Sequence, residues 1–306
     1  MEFRLKILGA NSATPAYGRH QTSQLLNLEN HYFLIDCGEG TQMQLIKYRA
    51  KVSRIRHIFI SHLHGDHIFG LIGLINTMNL NGRTDDLHIY GPHNLQYIIT
   101  VTLRHTSTSL NFRIHFTTVD SERSYLLYHN DRLKVYSIPM DHGIACSGFL
   151  FVEKEKERRI NKERLPDDLS VEEILELKRG KDIFYADGSL RYANDELTLP
   201  PRKSRSYAYC ADTRYREEIM DIVRGVDLLY HEATFMHDQA EKARQRYHST
   251  TIEAATLAMK AEVGNLIIGH YSSRYRELQP LLQEAQTVFP ETLLAEEGKD
   301  YYIEES

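Results

Sequence analysis

The sequence has few cysteines, no long apolar run and no secretory signal. Its three cysteines, Cys37, Cys146 and Cys210, are odd in number and widely separated, so neither a disulfide framework nor a Cys-x-x-Cys metal site follows. No stretch approaches the ~18 apolar residues of a membrane span, and the opening MEFRLKILG lacks the signal-peptide pattern. These absences predict a cytoplasmic protein without membrane contact.

Two further absences limit the function. The 306 residues carry 37 Lys and Arg against 42 Asp and Glu, a formal net charge of −5. This negative net charge argues against a protein that coats nucleic acid through bulk electrostatic attraction. Any site for a polyanion has to be a local patch of basic residues. The sequence also has no Gly-x-Ser-x-Gly nucleophile elbow and no Walker loop, which removes two common routes of hydrolysis.

Short β-rich runs alternate with helical segments along the chain. The strand-like runs are FRLKILG, HYFLIDCG, IRHIFIS, DLHIYGP, LKVYSIP, SYAYCAD, VDLLYHE and VGNLIIGH. TQMQLIKYRA and HIFGLIGLINTMNL have helical spacing, and the alternation predicts an α/β fold in which helices cover sheets. Six histidines in or beside these runs, among them His57, His88 and His115, are predicted to be structural and without companions.

The segment from Glu153 to about Arg205 breaks this alternation. It carries thirteen basic and thirteen acidic residues and few bulky apolar ones. Ser170 and Glu173 form a capping box that predicts a helix in SVEEILELKRG, and Asp187-Gly188 predicts a hairpin in IFYADGSLRY. We expect this segment to be an ordered substructure; a solvated surface insertion is the alternative.

Histidines and carboxylates recur at the ends of the strand-like runs. The candidate metal ligands are His62, His64, Asp66, His67, His142, Asp212 and His270. In α/β sheets such strand ends share one edge, and imidazole and carboxylate are groups that zinc prefers. Seven ligands suffice for two four-coordinate metals if Asp212 bridges them. A histidine-rich polar loop after a strand is the alternative for the first four.

These motifs resemble the metallo-β-lactamase superfamily and, within it, ribonuclease Z, the endonuclease that trims the 3′ end of precursor tRNA. SHLHGDH has the His-x-His-x-Asp-His signature of the superfamily. GANSATPAYGRHQTS, FLIDCGEGTQMQL, HGDHIFGLIGL, HEATF, YHSTTIEAA and GHYSSRY are similar to successive ribonuclease Z motifs. The resemblance implies one metallo-β-lactamase domain over residues 1–306, an αβ/βα sandwich of two mixed sheets flanked by helices. Residues 153–205 would form an inserted substrate-binding arm.

The resemblance also implies roles for individual residues. One metal would be held by His62, His64 and His142, the second by Asp66, His67 and His270, with Asp212 bridging. Zinc is expected, two ions per chain; histidine and aspartate ligands also accept manganese or iron. Asp66 would accept the proton of the attacking water, His248 of YHST would act near the leaving group, and Glu232 would orient His248. Without the resemblance, His248 is interpreted as a surface histidine that opens a helix.

The implied partners are precursor tRNA and a second copy of the chain, whose arm would grip the tRNA. This arm departs from the usual one, because LPDDLSVEEI lacks the Gly-Pro pair before its helix. Its beginning, Lys154 to Arg164, carries six basic and three acidic residues and is a candidate for phosphate contact. The alternative functions are a small-molecule phosphodiesterase or arylsulfatase of the same superfamily and a non-catalytic nucleic-acid-binding module. The complete ligand set argues against the binding module.

Overall fold

The computed structural model describes residues 2–304 as two seven-stranded sheets with helices on their outer faces. The strands are β1 (Phe3–Gly9), β2 (Ser23–Leu28), β3 (His31–Ile35), β4 (Ile55–Phe59), β5 (Leu87–Gly91), β6 (Ile114–Thr118), β7 (Leu126–His129), β8 (Leu133–Pro139), β9 (Ser147–Glu153), β10 (Arg159–Ile160), β11 (Ile183–Phe184), β12 (Leu190–Tyr192), β13 (Thr198–Leu199), β14 (Ser206–Cys210), β15 (Leu228–Glu232), β16 (Asn265–Gly269), β17 (Thr292–Leu294) and β18 (Asp300–Tyr302). The helices are α1 (Thr41–Lys47), α2 (Gly65–Ile68), α3 (Leu71–Leu80), α4 (Leu95–His105), α5 (Val171–Lys178), α6 (Asn194–Leu197), α7 (Met220–Val223), α8 (Ala240–Gln245), α9 (Thr251–Lys260) and α10 (Gln279–Gln286).

Both sheets are mixed, as the resemblance to the metallo-β-lactamase superfamily implies. The first has the order β18-β1-β2-β3-β4-β5-β6, and β3 to β6 run parallel. The second has the order β17-β16-β15-β14-β9-β8-β7, and β14 to β17 run parallel. The predicted sandwich of two sheets flanked by helices is therefore confirmed.

Side-chain alternation along the strands explains why both faces of each sheet are covered. In β3, Phe33 and Ile35 belong to the core between the sheets, whereas Tyr32 and Leu34 belong to the core under the outer helices. Strands buried on both faces read as continuous apolar runs, which is the pattern of YFLI in β3. Helix α9 begins with a capping box formed by Thr250 and Glu253. Within residues 2–304, no helix is long and apolar enough to cross a membrane.

The segment between β9 and β14 forms two short ribbons, β10–β13 and β11–β12, around helix α5. The predicted capping box is confirmed: the Ser170 side chain accepts from the Glu173 amide, and the Glu173 side chain accepts from the Ser170 amide. Leu177 and Ile183 help to form a small separate core. At the base of the segment, the Arg205 guanidinium donates to the Glu153 carboxylate at 2.5 and 2.9 Å, and both residues are buried.

His57, His88 and His115 are stacked on neighbouring strands, so the prediction that they lie without companions is wrong. His57 pairs in register with His88, and His88 with His115. The ring centroids are 5.1 and 4.8 Å apart, and the Tyr128 ring of the other sheet lies 4.2 Å from His57. The register between separate strands creates this histidine stack, and no local sequence pattern encodes it.

Acid should destabilise the fold through His57. Burial, reinforced by positive charge on His88, lowers the pKa of His57 to about 3. The unfolded chain binds this proton below about pH 6.5, but the folded chain does not until about pH 3, so stability is lost as the pH falls through this window. His57→Phe keeps an aromatic ring in the stack. Between pH 7 and pH 4, we expect the free energy of unfolding of His57→Phe to fall by about 3 kcal/mol less than that of wild type.

Urea unfolding of the metal-free protein at both pH values measures this difference without interference from acid release of metals. The matched control is His129→Phe, which changes an exposed histidine of β7 and should lose as much stability as wild type. An equal loss in wild type and His57→Phe would contradict the assignment to His57.

Candidate metal centre and proton donor

The candidate ligands lie at one edge of the sandwich, directly after the strands that carry them. β4 is followed by His62 and His64, and helix α2 presents Asp66 and His67. His142, Asp212 and His270 follow β8, β14 and β16. Because β14 and β16 are parallel and β8 runs in the same direction, these strand ends share one edge.

The structure brings all seven candidate ligands into two adjacent groups, His62–His64–His142–Asp212 and Asp66–His67–His270. Asp212 lies between the groups. Its Oδ2 is 3.7 Å from His62 Nε2 and 3.9 Å from His142 Nε2. Its Oδ1 is 3.5 Å from His67 Nε2 and 3.2 Å from His270 Nε2. One carboxylate therefore has one oxygen directed at each group.

The chemistry of these atoms fits divalent cations. Within residues 2–304, the buried atoms His67 Nε2, His270 Nε2 and Asp212 Oδ1 have no hydrogen-bond partner, which is costly unless something else satisfies them. Burial lowers the pKa of His67, but the carboxylates of Asp212, Asp36 and Asp66 outweigh burial and raise it to about 10. The site therefore attracts positive charge, which a metal ion can supply in place of a proton.

Asp36 is a site residue that the sequence analysis does not identify. Its carboxylate accepts from His67 Nδ1 at 2.7 Å and from Ser61 Oγ at 2.8 Å, and Ser61 Oγ lies 3.0 Å from His62 Nδ1. Tyr209 of the opposite sheet donates to the same carboxylate at 2.5 Å. These bonds leave the Nε2 atoms of His67 and His62 directed at the two groups, and such support of metal ligands usually matters for affinity.

Glu232 has a similar role on the other side of the site. Its buried carboxylate accepts from His248 Nδ1 at 2.8 Å and from Thr234 Oγ1 at 2.7 Å. Thr234 Oγ1 in turn accepts from His270 Nδ1 at 2.8 Å. Glu232 therefore orients His248 directly and the candidate ligand His270 through one hydroxyl.

His248 is held in a charged pair beside the candidate ligands. Burial opposes charge on both partners, but their attraction outweighs it, raising the pKa of His248 to about 9 and lowering that of Glu232 to about 2. His248 therefore carries a proton at neutral pH. Its geometry also allows a ligand role, because His248, Asp212 and His270 form a third group of close donor atoms.

The N-terminal loop of GANSATPAYGRHQTS borders this edge. The Arg19 guanidinium donates to Asn11 Oδ1 at 2.9 Å and to the carbonyls of Tyr275 and Arg276 at 2.5 and 3.0 Å. The Ser12 amide donates to the carbonyl of Tyr271 at 2.9 Å. The loop is thus attached to the segment that follows His270.

Curated relatives are similar to this chain over nearly its whole length, and a family model matches its first half. Ribonuclease Z of Cytophaga hutchinsonii is 48% identical over 303 residues, covering 99% of this chain and 97% of that protein. Ribonuclease Z of Bacteroides fragilis is 45% identical over 298 residues, covering 97% and 98%. A family model described as Anti-Pycsar protein Apyc1 matches residues 3–154.

Solved structures agree with these relatives. The short form of human tRNase Z matches with a TM-score of 0.72 and 28% identity, covering 98% of this chain and 99% of that one. YhfI of Bacillus subtilis, a metallo-beta-lactamase fold protein, matches with a TM-score of 0.69 and 19% identity, covering 99% and 100%. At that identity, YhfI supports the fold alone.

Proposed function

The chain belongs to the ribonuclease Z family and is a metal-dependent phosphodiester hydrolase; from this we propose that it removes the 3′ trailer of precursor tRNA. Cleavage would release the trailer with a 5′ phosphate and leave a 3′ hydroxyl on the tRNA. The observation that carries this proposal is the pair of ligand groups that share Asp212, with His248 beside them.

The proposed metal assignment follows the two groups. His62, His64 and His142 would hold one ion, Asp66, His67 and His270 the other, with Asp212 shared. Two bound cations, expected to be zinc, would lower the pKa of a coordinated water and neutralise charge on the phosphoryl oxygens. The residues that move protons are Asp66, which accepts the proton of the attacking water, and His248, which protonates the leaving 3′ oxygen. In the metal-free protein, positive charge on His67 outweighs burial and holds the pKa of Asp66 well below its usual range. A bound cation in place of that proton would likewise favour the anionic form of Asp66.

Residues 153–205 are the proposed substrate-binding arm. A cleft of about 750 Å³ lies at its base, lined by Lys154 and Arg159 from the arm and by Arg132 from the sandwich. Acidic residues such as Glu155 and Glu157 also line this cleft, so phosphate contact would be local rather than driven by net charge. None of the seven candidate ligands lies in the segment, which separates tRNA binding from the chemistry.

We also propose that the protein forms a homodimer in the cytoplasm. Its support is a set of exposed apolar side chains, Met43 and Ile46 on α1, Phe69 after α2, and Leu80 on α3, and helices α1 and α3 are in contact. Helix α3 has no charged residue, which is unusual for a helix facing water and suits contact with an identical surface. Sedimentation of the purified protein tests this assembly.

One assay tests the activity directly. The protein should cleave a 3′-extended precursor tRNA at the trailer junction, and a chelator should abolish cleavage. A chromogenic phosphodiester measured in parallel reports the metal chemistry alone. Hydrolysis of the small ester without cleavage of the tRNA would favour the small-molecule phosphodiesterase.

Replacing residues 155–203 by a short Gly-Ser linker should raise KM for precursor tRNA by about tenfold or more, because remote contacts supply binding rather than chemistry. Glu153 and Arg205 stay in place to join the ends. The kcat for the small phosphodiester and the metal content should not change. Parallel loss of both activities and of metal would make the segment part of the core, and no change in either activity would contradict the tRNA assignment.

A further inference from the structure

Three loops carry His142, Asp212 and His248 of the proposed site. The loop after β8 contains Asp141 and His142, the segment after β14 runs from Asp212 to Arg214, and the turn between α8 and α9 contains Tyr247 and His248. These positions are far apart in sequence. Arg214 follows Asp212 by two positions. It contacts Asp141, which precedes His142, and Tyr247, which precedes His248.

Arg214 is bonded to the first loop through both its side chain and its main chain. Its Nε and Nη2 donate to the two carboxylate oxygens of Asp141 at 2.9 and 3.0 Å. Its amide donates to the carbonyl of Asp141 at 2.9 Å. A bidentate pair of this kind fixes orientation as well as distance, so the direction of the adjacent His142 depends on it.

Arg214 also lies against the third loop. The centre of its guanidinium is 4.3 Å from the centroid of the Tyr247 ring, a cation–π contact. The carbonyl of Tyr247 accepts from His142 Nδ1 at 3.0 Å, which leaves His142 Nε2 directed at Asp212. Tyr247 has a φ of +58°, uncommon for a bulky residue, so its backbone has to be held by its surroundings.

We propose that Arg214 is a positioning residue that, with Asp141 and Tyr247, holds His142 and His248 in one geometry. Stability does not explain the pair. The side chains of Arg214 and Asp141 are 36% and 38% exposed, and ion pairs with this much exposure contribute little to the free energy of unfolding. What the three residues share is their contact with the loops of the site. The RNA readouts below rest on the proposed function; the other readouts do not.

The test compares Arg214→Gln, Arg214→Lys, Asp141→Asn and the double variant Arg214→Gln/Asp141→Asn. Each single variant should lower kcat for the small phosphodiester by roughly 10–100-fold, the usual effect of losing support of a metal ligand. The double variant should be no worse than the poorer single one, because both disturb the same contact. Lysine should not rescue, since it lacks the planar fork that pairs with carboxylate and stacks on tyrosine.

Zinc titration of the apo-protein against a competing chelator supplies a readout independent of activity. We expect about tenfold weaker binding at one of two sites and little change in melting temperature. The control is Arg224→Gln, which breaks an exposed pair with Asp221 at 2.8 Å at the end of α7 and should leave kcat and zinc affinity unchanged.

Three outcomes would overturn the proposal. A higher KM for precursor tRNA alone, with normal zinc binding and normal hydrolysis of the small ester, would make Arg214 a contact for RNA in the adjacent cleft of about 640 Å³. A lower melting temperature with unchanged kcat would make the pair merely structural. Additive losses of kcat in the double variant would show that Arg214 and Asp141 act independently. Failure of the wild type to cleave tRNA would refute the proposed function, but the zinc and small-ester readouts would still decide the role of Arg214.

Discussion

Replacing His248 by alanine is expected to lower turnover of precursor tRNA by roughly 10²–10⁴-fold, the usual cost of losing a general acid. His248 donates Nδ1–H to Glu232 at 2.8 Å, which leaves Nε2 as the atom that can reach a leaving oxygen. The Glu232 carboxylate outweighs burial and raises the pKa of His248 to about 9, so the proton is present at neutral pH. Steady-state kinetics and elemental analysis of the variant provide the measurement.

The leaving group supplies an internal control. A nitrophenyl phosphodiester expels a weakly basic phenolate that hardly needs a proton, so His248→Ala should lose much less activity on it than on tRNA. Unchanged turnover on both substrates would reduce His248 to a residue at the start of α9. Loss of metal together with both activities would make His248 a ligand, as its place beside Asp212 and His270 allows.

Replacing Asp212 by alanine is expected to lower metal occupancy at both sites, from about two ions per chain, and to abolish activity. Its two oxygens face different groups, with Oδ2 3.7 Å from His62 Nε2 and Oδ1 3.2 Å from His270 Nε2. The variant His64→Ala is the matched comparison, because His64 belongs to one group only and should weaken one site. A single metal that survives Asp212→Ala would contradict the shared position.

The sequence predicts the candidate ligands because each follows an apolar strand-like run. Strands that run in the same direction end at the same edge, so residues such as His142 and His270 can be grouped without knowing the distances between them. His248 and Glu232 are different. Their local sequence indicates only the start of a helix and the end of a strand, and only the resemblance to ribonuclease Z suggests a role for them.

What the sequence does not predict depends on contacts between distant segments. Asp36 closes an ordinary strand-like run, and its partner Tyr209 comes 173 residues later on the other sheet. The stack of His57 and its neighbours requires the register of three strands. Helix α4 contains the run IITVT, whose β-branched residues favour strands; it is helical because Leu95 and Ile99 pack into the core under the outer helices.

The arm leaves the sandwich and returns to it at one place, and this has an evolutionary consequence. Val152 and Ser206 are register partners on neighbouring strands, so the chain between them can change length at a closure cost of only ~0.6 kcal/mol per doubling. Under our proposal that this segment binds substrate, substrate choice and catalytic chemistry could diverge separately within a lineage. None of the seven candidate ligands lies in this segment, so the absence of a Gly-Pro pair from LPDDLSVEEI leaves the ligand set unchanged.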